Sequence, residues 1–156
     1  MRKTFTLFFL IFTFSFSSFA QRTFQRNSFY IEAFGSGLFG SLNYERQLTK
    51  QPGIGVRVGV GFYAEKATSL TIPVGINYLF PLKRENRFVD AGFTVSPTFR
   101  DANFNAKGND KWTNFVPSVG YRVHTEKDWM WRISITPVIN RFAFTPSAGF
   151  SIGKVF

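Results

Sequence analysis

From Ser28 to Phe156 the chain alternates. Large apolar side chains fill every second position of one segment after another, and no stretch keeps the 3.6-residue period of an amphipathic helix. In "GIGVRVGVGFY", Ile54, Val56, Val58, Val60 and Phe62 share one face, while Gly55, Arg57, Gly59 and Gly61 share the other. In "SLTIPVGINYLF", Leu70, Ile72, Val74, Ile76, Tyr78 and Phe80 oppose Thr71, Pro73, Gly75 and Asn77. A period of two is the strand signature. The second face narrows the fold further. In a soluble sandwich or barrel it meets water and carries Lys and Glu. Here it carries Gly, Ser, Thr, Asn and a few isolated charges, which suit a crowded interior. The apolar face is broad, aromatic and nearly uncharged over about ten residues, which suits hydrocarbon.

Eight such segments are separated by turn-rich breaks: 28–35, 38–48, 53–63, 69–80, 87–99, 112–124, 129–140 and 142–156. Lipid cannot satisfy an open sheet edge, so strands of this kind must close on themselves. Eight suffice for a barrel whose side chains fill its interior. The expected fold is all-β: an eight-stranded antiparallel up-and-down transmembrane barrel. An even strand number puts both termini on the periplasmic side. "TKQPG", "PLKREN" and "TEKD" then become periplasmic turns, and the long break 100–111 becomes an outer loop. Pro73 and Pro117 fall inside segments and must occupy bulges or unpaired positions, because proline has no ladder donor.

The first twenty residues, "MRKTFTLFFLIFTFSFSSFA", are set apart. Arg2 and Lys3 precede an apolar run that ends in a small-x-small pattern at Ser18 and Ala20. This is the pattern of a secretory signal peptide cut before Gln21. The run is shorter than the roughly 20 residues of a membrane-spanning helix. Residues 21–27 form a polar lead-in and 28–156 the barrel. No cysteine is present, which rules out disulfides, thiolate chemistry and a lipid-anchored start. The net charge falls from +10 to +8 once Arg2 and Lys3 are gone. For an exported chain the acidic neighbours are lipid phosphates and anionic glycans, not nucleic acid.

Following each alternation inward collects Glu32, Glu45, Arg57, Asp90, Arg122 and Arg132. Equal numbers of acids and bases in one narrow lumen point to a salt-bridged plug, since buried charges must be paired. The competing possibility is a catalytic carboxylate pair, Glu32 with Glu45. His124, beside Glu126, raises a lipid-modifying hydrolase, but no motif marks a serine partner. One histidine and no cysteine leave no metal cluster, and no cofactor is expected. Tyr78, Phe80, Trp129, Trp131 and Phe156 are placed at the periplasmic rim, and Phe62, Phe99, Phe142 and Phe144 at the outer rim, as aromatic girdles. Lys66, Arg100, Lys107, Lys111 and Arg141 fall in outer loops or at the outer rim, where they could meet lipopolysaccharide phosphates.

The segments "FYIEAFG", "LNYERQL", "GVRVGVGFY", "TIPVGINYLF" and "FVDAGFTVSP" together resemble small outer-membrane β-barrel proteins of the OmpA-transmembrane/OmpX-like type, in the compact form common in Bacteroidetes. The resemblance spans about Ser28 to Phe156. Asp90 stands where that type would carry Glu. The resemblance implies that outer-membrane insertion machinery recognises a last strand ending in an aromatic residue. Phe150, Ile152 and Phe156 fit that signal, whereas Lys154 occupies a position usually aromatic or aliphatic. The expected protein is a monomeric integral barrel of the outer membrane with a structural or interactive role, in contact with outer-membrane lipid and lipopolysaccharide. A lipid-modifying enzyme and a narrow channel are the alternatives.

Overall fold

The computed structural model describes residues 24–64, 68–100 and 111–156. The expected signal peptide, Lys66 and Lys107 lie outside the described residues. The alternating segments form eleven strands: β1 (Asn27–Ala33), β2 (Gly40–Gln47), β3 (Ile54–Ala64), β4 (Thr68–Thr71), β5 (Val74–Pro81), β6 (Arg87–Arg100), β7 (Lys111–His124), β8 (Trp129–Ile135), β9 (Val138–Ile139), β10 (Phe144–Thr145) and β11 (Ala148–Val155). They build eight staves, because β4 with β5, β8 with β9, and β10 with β11 each continue one line. All pairings are antiparallel between neighbours in sequence, and β1 pairs with both β2 and β11. The sheet therefore closes into the eight-stranded barrel expected.

Closure is made by backbone alone. Ser28 faces Val155 and Ala33 faces Phe150 along the β1–β11 seam. Past the ladder, the amides of Asn27 and Phe156 each donate to the other's carbonyl at 2.9 Å. Phe156 thus completes the last ring of the seam. At this end, called here the termini rim, "PLKREN" and "TEKD" turn on Asn86 and Asp128, both at positive φ (58° and 62°). Asn and Asp tolerate that conformation better than other side chains.

The three divided staves share one cause. Proline carries no N–H and drops out of a ladder. Pro73 separates β4 from β5, Pro137 separates β8 from β9, and Pro146 precedes β11. The register is unchanged across each break, so these are unpaired positions and not bulges. Pairing of β7 with the seventh stave stops at Val119–Ile135 and resumes only at Phe115–Ile139. The same register aligns Pro117, Pro137 and Pro146 in one row across three adjacent staves. Nearby carbonyls and amides still find partners: Thr136 N–H donates to the Ser147 carbonyl at 2.8 Å, and Gly59 N–H to the Pro73 carbonyl at 2.8 Å.

The wall turns its apolar face outward. Ile31, Leu42, Val60, Ile76, Val119, Ile133 and Phe150 are all exposed, and Ile135 is 70 % exposed. The other parity is buried and polar: Ser41, Asn43, Thr71, Asn77, Thr94, Ser134 and Ser151. One girdle expectation needs correction. Phe99 is only 7 % exposed, because it lies between Leu70 and Lys111 on the neighbouring staves, with the Lys111 ammonium 5.1 Å from its ring centroid.

Glycine is required where staves approach closely. A Cβ on Gly153 would meet the Phe29 carbonyl oxygen and the Tyr30 Cβ, backbone and near-backbone atoms with no freedom to move aside. Gly153→Ala should force the closing seam apart and cost about 1–3 kcal/mol, the usual range for overpacking. The urea midpoint followed by far-UV circular dichroism is expected to fall, and an unchanged midpoint would show that the seam has room.

Candidate functional site

All six charged residues assigned to the lumen are brought together there, none more than 2 % exposed. They arrive from different staves because strand parity sends every second residue inward: Glu32 from β1, Glu45 from β2, Arg57 from β3, Asp90 from β6, Arg122 from β7 and Arg132 from β8. Asp90 is the hub. Its Oδ2 accepts from Arg132 Nη1 at 3.1 Å and from Arg122 Nη1 at 3.3 Å, and its Oδ1 lies 3.5 Å from Arg57 Nη2. Asn77 Nδ2 donates to the same Oδ1 at 3.3 Å. The shorter Asp side chain holds this carboxylate near its own stave, where three guanidinium groups converge on it.

The arginines are engaged to different degrees. Arg122 uses every nitrogen: Nη1 to Glu45 Oε1 at 2.6 Å and to Asp90, Nη2 to Ser28 Oγ at 3.1 Å, and Nε to His124 Nε2 at 3.1 Å. Arg132 Nη2 binds Glu32 Oε1, and its guanidinium lies 5.6 Å over the Tyr30 ring. Arg57 has carboxylates at 3.5 and 3.8 Å but no hydrogen bond to either. Glu32 and Glu45 are thus clamped by different arginines.

Both ends of the lumen are covered. At the far end, the link 34–39 folds inward. Ser36 is buried, and its N–H and Oγ both donate to Glu32 Oε2, at 2.9 and 2.6 Å. Ser96 and Thr71 donate to the carbonyls of Ser36 and Gly37, and Ser147 and Thr136 donate to that of Phe34. The loop is therefore bonded to four other staves. Its entry and exit, Phe34 and Leu38, both sit at positive φ (55° and 70°), a strained state for bulky side chains that the surrounding bonds hold in place. At the termini rim, Phe24 reaches over the lumen and packs on Phe88 and His124, at 6.0 and 6.1 Å between ring centroids. Arg26 anchors this lead-in on the carbonyls of Gln47 and Leu48.

Neither cover was foreseen from the sequence, although "GSG" carried a signal. Only residues that small enter a filled lumen: a Cβ on Gly35 would meet the Glu32 carboxyl, and one on Gly37 the Ser41 side chain. His124 is buried at the end of β7, accepts from Arg122 and forms a three-ring cluster with Phe24 and Phe88. Phe150, Ile152 and Phe156 all face outward on the last stave. Lys154 shares their row, with its ammonium 4.6 Å from the Trp129 ring centroid and donating to the Lys127 carbonyl at 2.9 Å. It lies at the rim, bent off the apolar belt. Of the five basic residues assigned to the outer side, Arg100, Lys111 and Arg141 are described, and all three are exposed at the far rim.

No protein-family model matches the chain, and no curated protein sequence matches it. Among solved structures it is similar to the N-terminal β-barrel domain of Pseudomonas aeruginosa OprF, with a TM-score of 0.61, 14 % identity, and coverage of 85 % of this chain and 100 % of that one. At that identity the likeness is one of fold.

Removing the hub would leave three buried cations facing two carboxylates. Asp90→Asn should destabilise the barrel by about 3–5 kcal/mol, the range for breaking a buried ion pair from one side, read as a lower urea midpoint. Glu32→Gln should act locally first: amide exchange at Ser36 is expected to accelerate well before the wall opens. Exchange as slow as in the parent would mean that Glu32 does not hold the loop.

Proposed function

We propose that this protein is a small integral barrel of the Gram-negative outer membrane, with a filled lumen and a structural or interactive role in the envelope. The observation that carries the proposal is the inverted order of the wall: exposed apolar side chains on every stave outside, paired charges and hydroxyls inside. A closed ladder with no free edge meets the requirement of hydrocarbon. In this placement the termini rim faces the periplasm, and the far rim lies at the outer surface. Phe150, Ile152 and Phe156, displayed outward on the last stave, are offered to the insertion machinery. Arg100, Lys111 and Arg141, together with Lys66 and Lys107, meet lipopolysaccharide phosphates; Arg141 is stacked 4.5 Å over Phe142.

The role is non-catalytic and the protein monomeric. Support for the first comes from His124, whose Nε2 is taken by Arg122. His124→Ala is expected to leave the cell's lipid A profile unchanged, and an altered profile would overturn a purely structural role. The membrane assignment is tested by extraction and electrophoresis. The folded protein should leave the envelope only with detergent and change gel mobility on boiling. A chain that stays in solution without detergent would sink the assignment.

A further inference from the structure

The charges on the outside of the wall follow a rule that the lumen does not explain. Among the described strand residues, every acid (Glu32, Glu45, Asp90) is buried inside. The bases divide. Arg57, Arg122 and Arg132 are inside, Arg46, Arg87, Lys111 and Lys154 lie on the outward rows at the two rims, and Arg100 ends β6 on the inward parity but is exposed at the far rim; the outer face carries no charge between the rims. At the termini rim they are Arg46, the penultimate residue of β2, Arg87, the first of β6, and Lys154, the penultimate of β11. These are the second, fifth and eighth staves, so the three cations are spread around the circumference.

Two of these side chains contact aromatic groups, and the third shares its row with one. Arg87 Nη1 donates to Tyr121 Oη at 2.6 Å. The Lys154 ammonium stacks on Trp129. Tyr44, two residues before Arg46 on the same outward row, donates its hydroxyl to Asn27 at 3.0 Å. Outward tyrosine and tryptophan mark the depth of lipid headgroups. The adjoining turns reinforce the sign, with Lys50, Lys83, Arg84 and Lys127 against Glu85, Glu126 and Asp128.

We infer that the termini rim is a collar that binds the phosphates of anionic phospholipids in the leaflet it meets. This rests on the membrane placement proposed above. The geometry selects lipid over a soluble partner because Arg46, Arg87 and Lys154 project from the side of the wall and not from its end. Guanidinium matches phosphate oxygens with paired N–H donors, and an anionic leaflet attracts cations held at its surface.

The test uses the protein folded into phosphatidylcholine vesicles containing phosphatidylglycerol, with one lipid or the other brominated on its chains to quench tryptophan. Trp112→Phe removes the far-rim tryptophan and leaves Trp129 and Trp131 at the termini rim. Phosphatidylglycerol is expected to be enriched over phosphatidylcholine around these tryptophans by about fivefold, and high salt should erase the preference. Arg46→Gln/Arg87→Gln/Lys154→Gln should abolish it, whereas Arg100→Gln/Lys111→Gln should not. Should the triple variant fail to fold, Arg46→Gln alone should still lower the enrichment. Equal quenching by the two lipids in the parent, or a preference untouched by salt, would overturn the collar while leaving the membrane barrel standing. A parent that enters neither vesicle, judged by absence of the heat-dependent mobility shift, would overturn both.

Discussion

Three guanidinium groups and one aspartate carboxylate meet inside this barrel, and much of the molecule is arranged around that meeting. A lumen built from eight staves has room for side chains but not for bulk water, so each charge sent inward must find its opposite there. Glu32, Glu45 and Asp90 answer Arg57, Arg122 and Arg132 in number, yet the pairing is not one to one. Asp90 touches all three bases, Glu45 shares Arg122 with it, and Glu32 takes Arg132. Opposite walls of the barrel are thereby tied through one carboxylate. Parity brings the charges in, and the cross-lumen bonds hold the staves in register with one another.

The covers at the two ends follow from the same need. A guanidinium open to solvent would lose little by parting from its carboxylate. Enclosed, it loses a great deal. The inward loop at Ser36 and the ring cluster of Phe24, Phe88 and His124 close the lumen with different chemistry, hydroxyls and amides at one end and aromatic rings at the other. The difference suits their neighbours. Ser36 completes the Glu32 carboxylate. Phe24 covers the end where Val155, Met130 and Tyr30 form a small apolar cluster.

Strand parity was legible in the sequence because a period of two leaves no choice of face: once one valine of β3 is outside, Arg57 is inside. The eight segments and the six lumen charges follow from that alone. Effects that depend on neighbouring staves were not legible. The proline row needs the register that sets Pro117 against Pro137 and Pro146. Phe99 keeps its outward parity but is covered by residues distant in sequence. The "GSG" link looks like an ordinary turn until the lumen it enters is known. Lys154 interrupts the apolar row in the sequence, and only the position of Trp129 on the adjacent stave shows how its ammonium leaves that row. Phe24 looked like part of a polar lead-in, and its packing against Phe88 and His124 depends on where the barrel ends.

The inward loop joins residues that are made at very different times. Ser36 emerges early in the chain, yet its loop is held by Thr71, Ser96, Thr136 and Ser147. It cannot be fully seated until the last stave has arrived. Without those staves the far end of the lumen lacks part of its cover, and the charges beneath it are not fully enclosed. Full enclosure of the charges therefore requires the closed wall, which also supplies the partners that compensate for it. A chain that sealed its lumen early would have to bury charges singly. Here the cover and the complete set of ion pairs depend on the same closed wall.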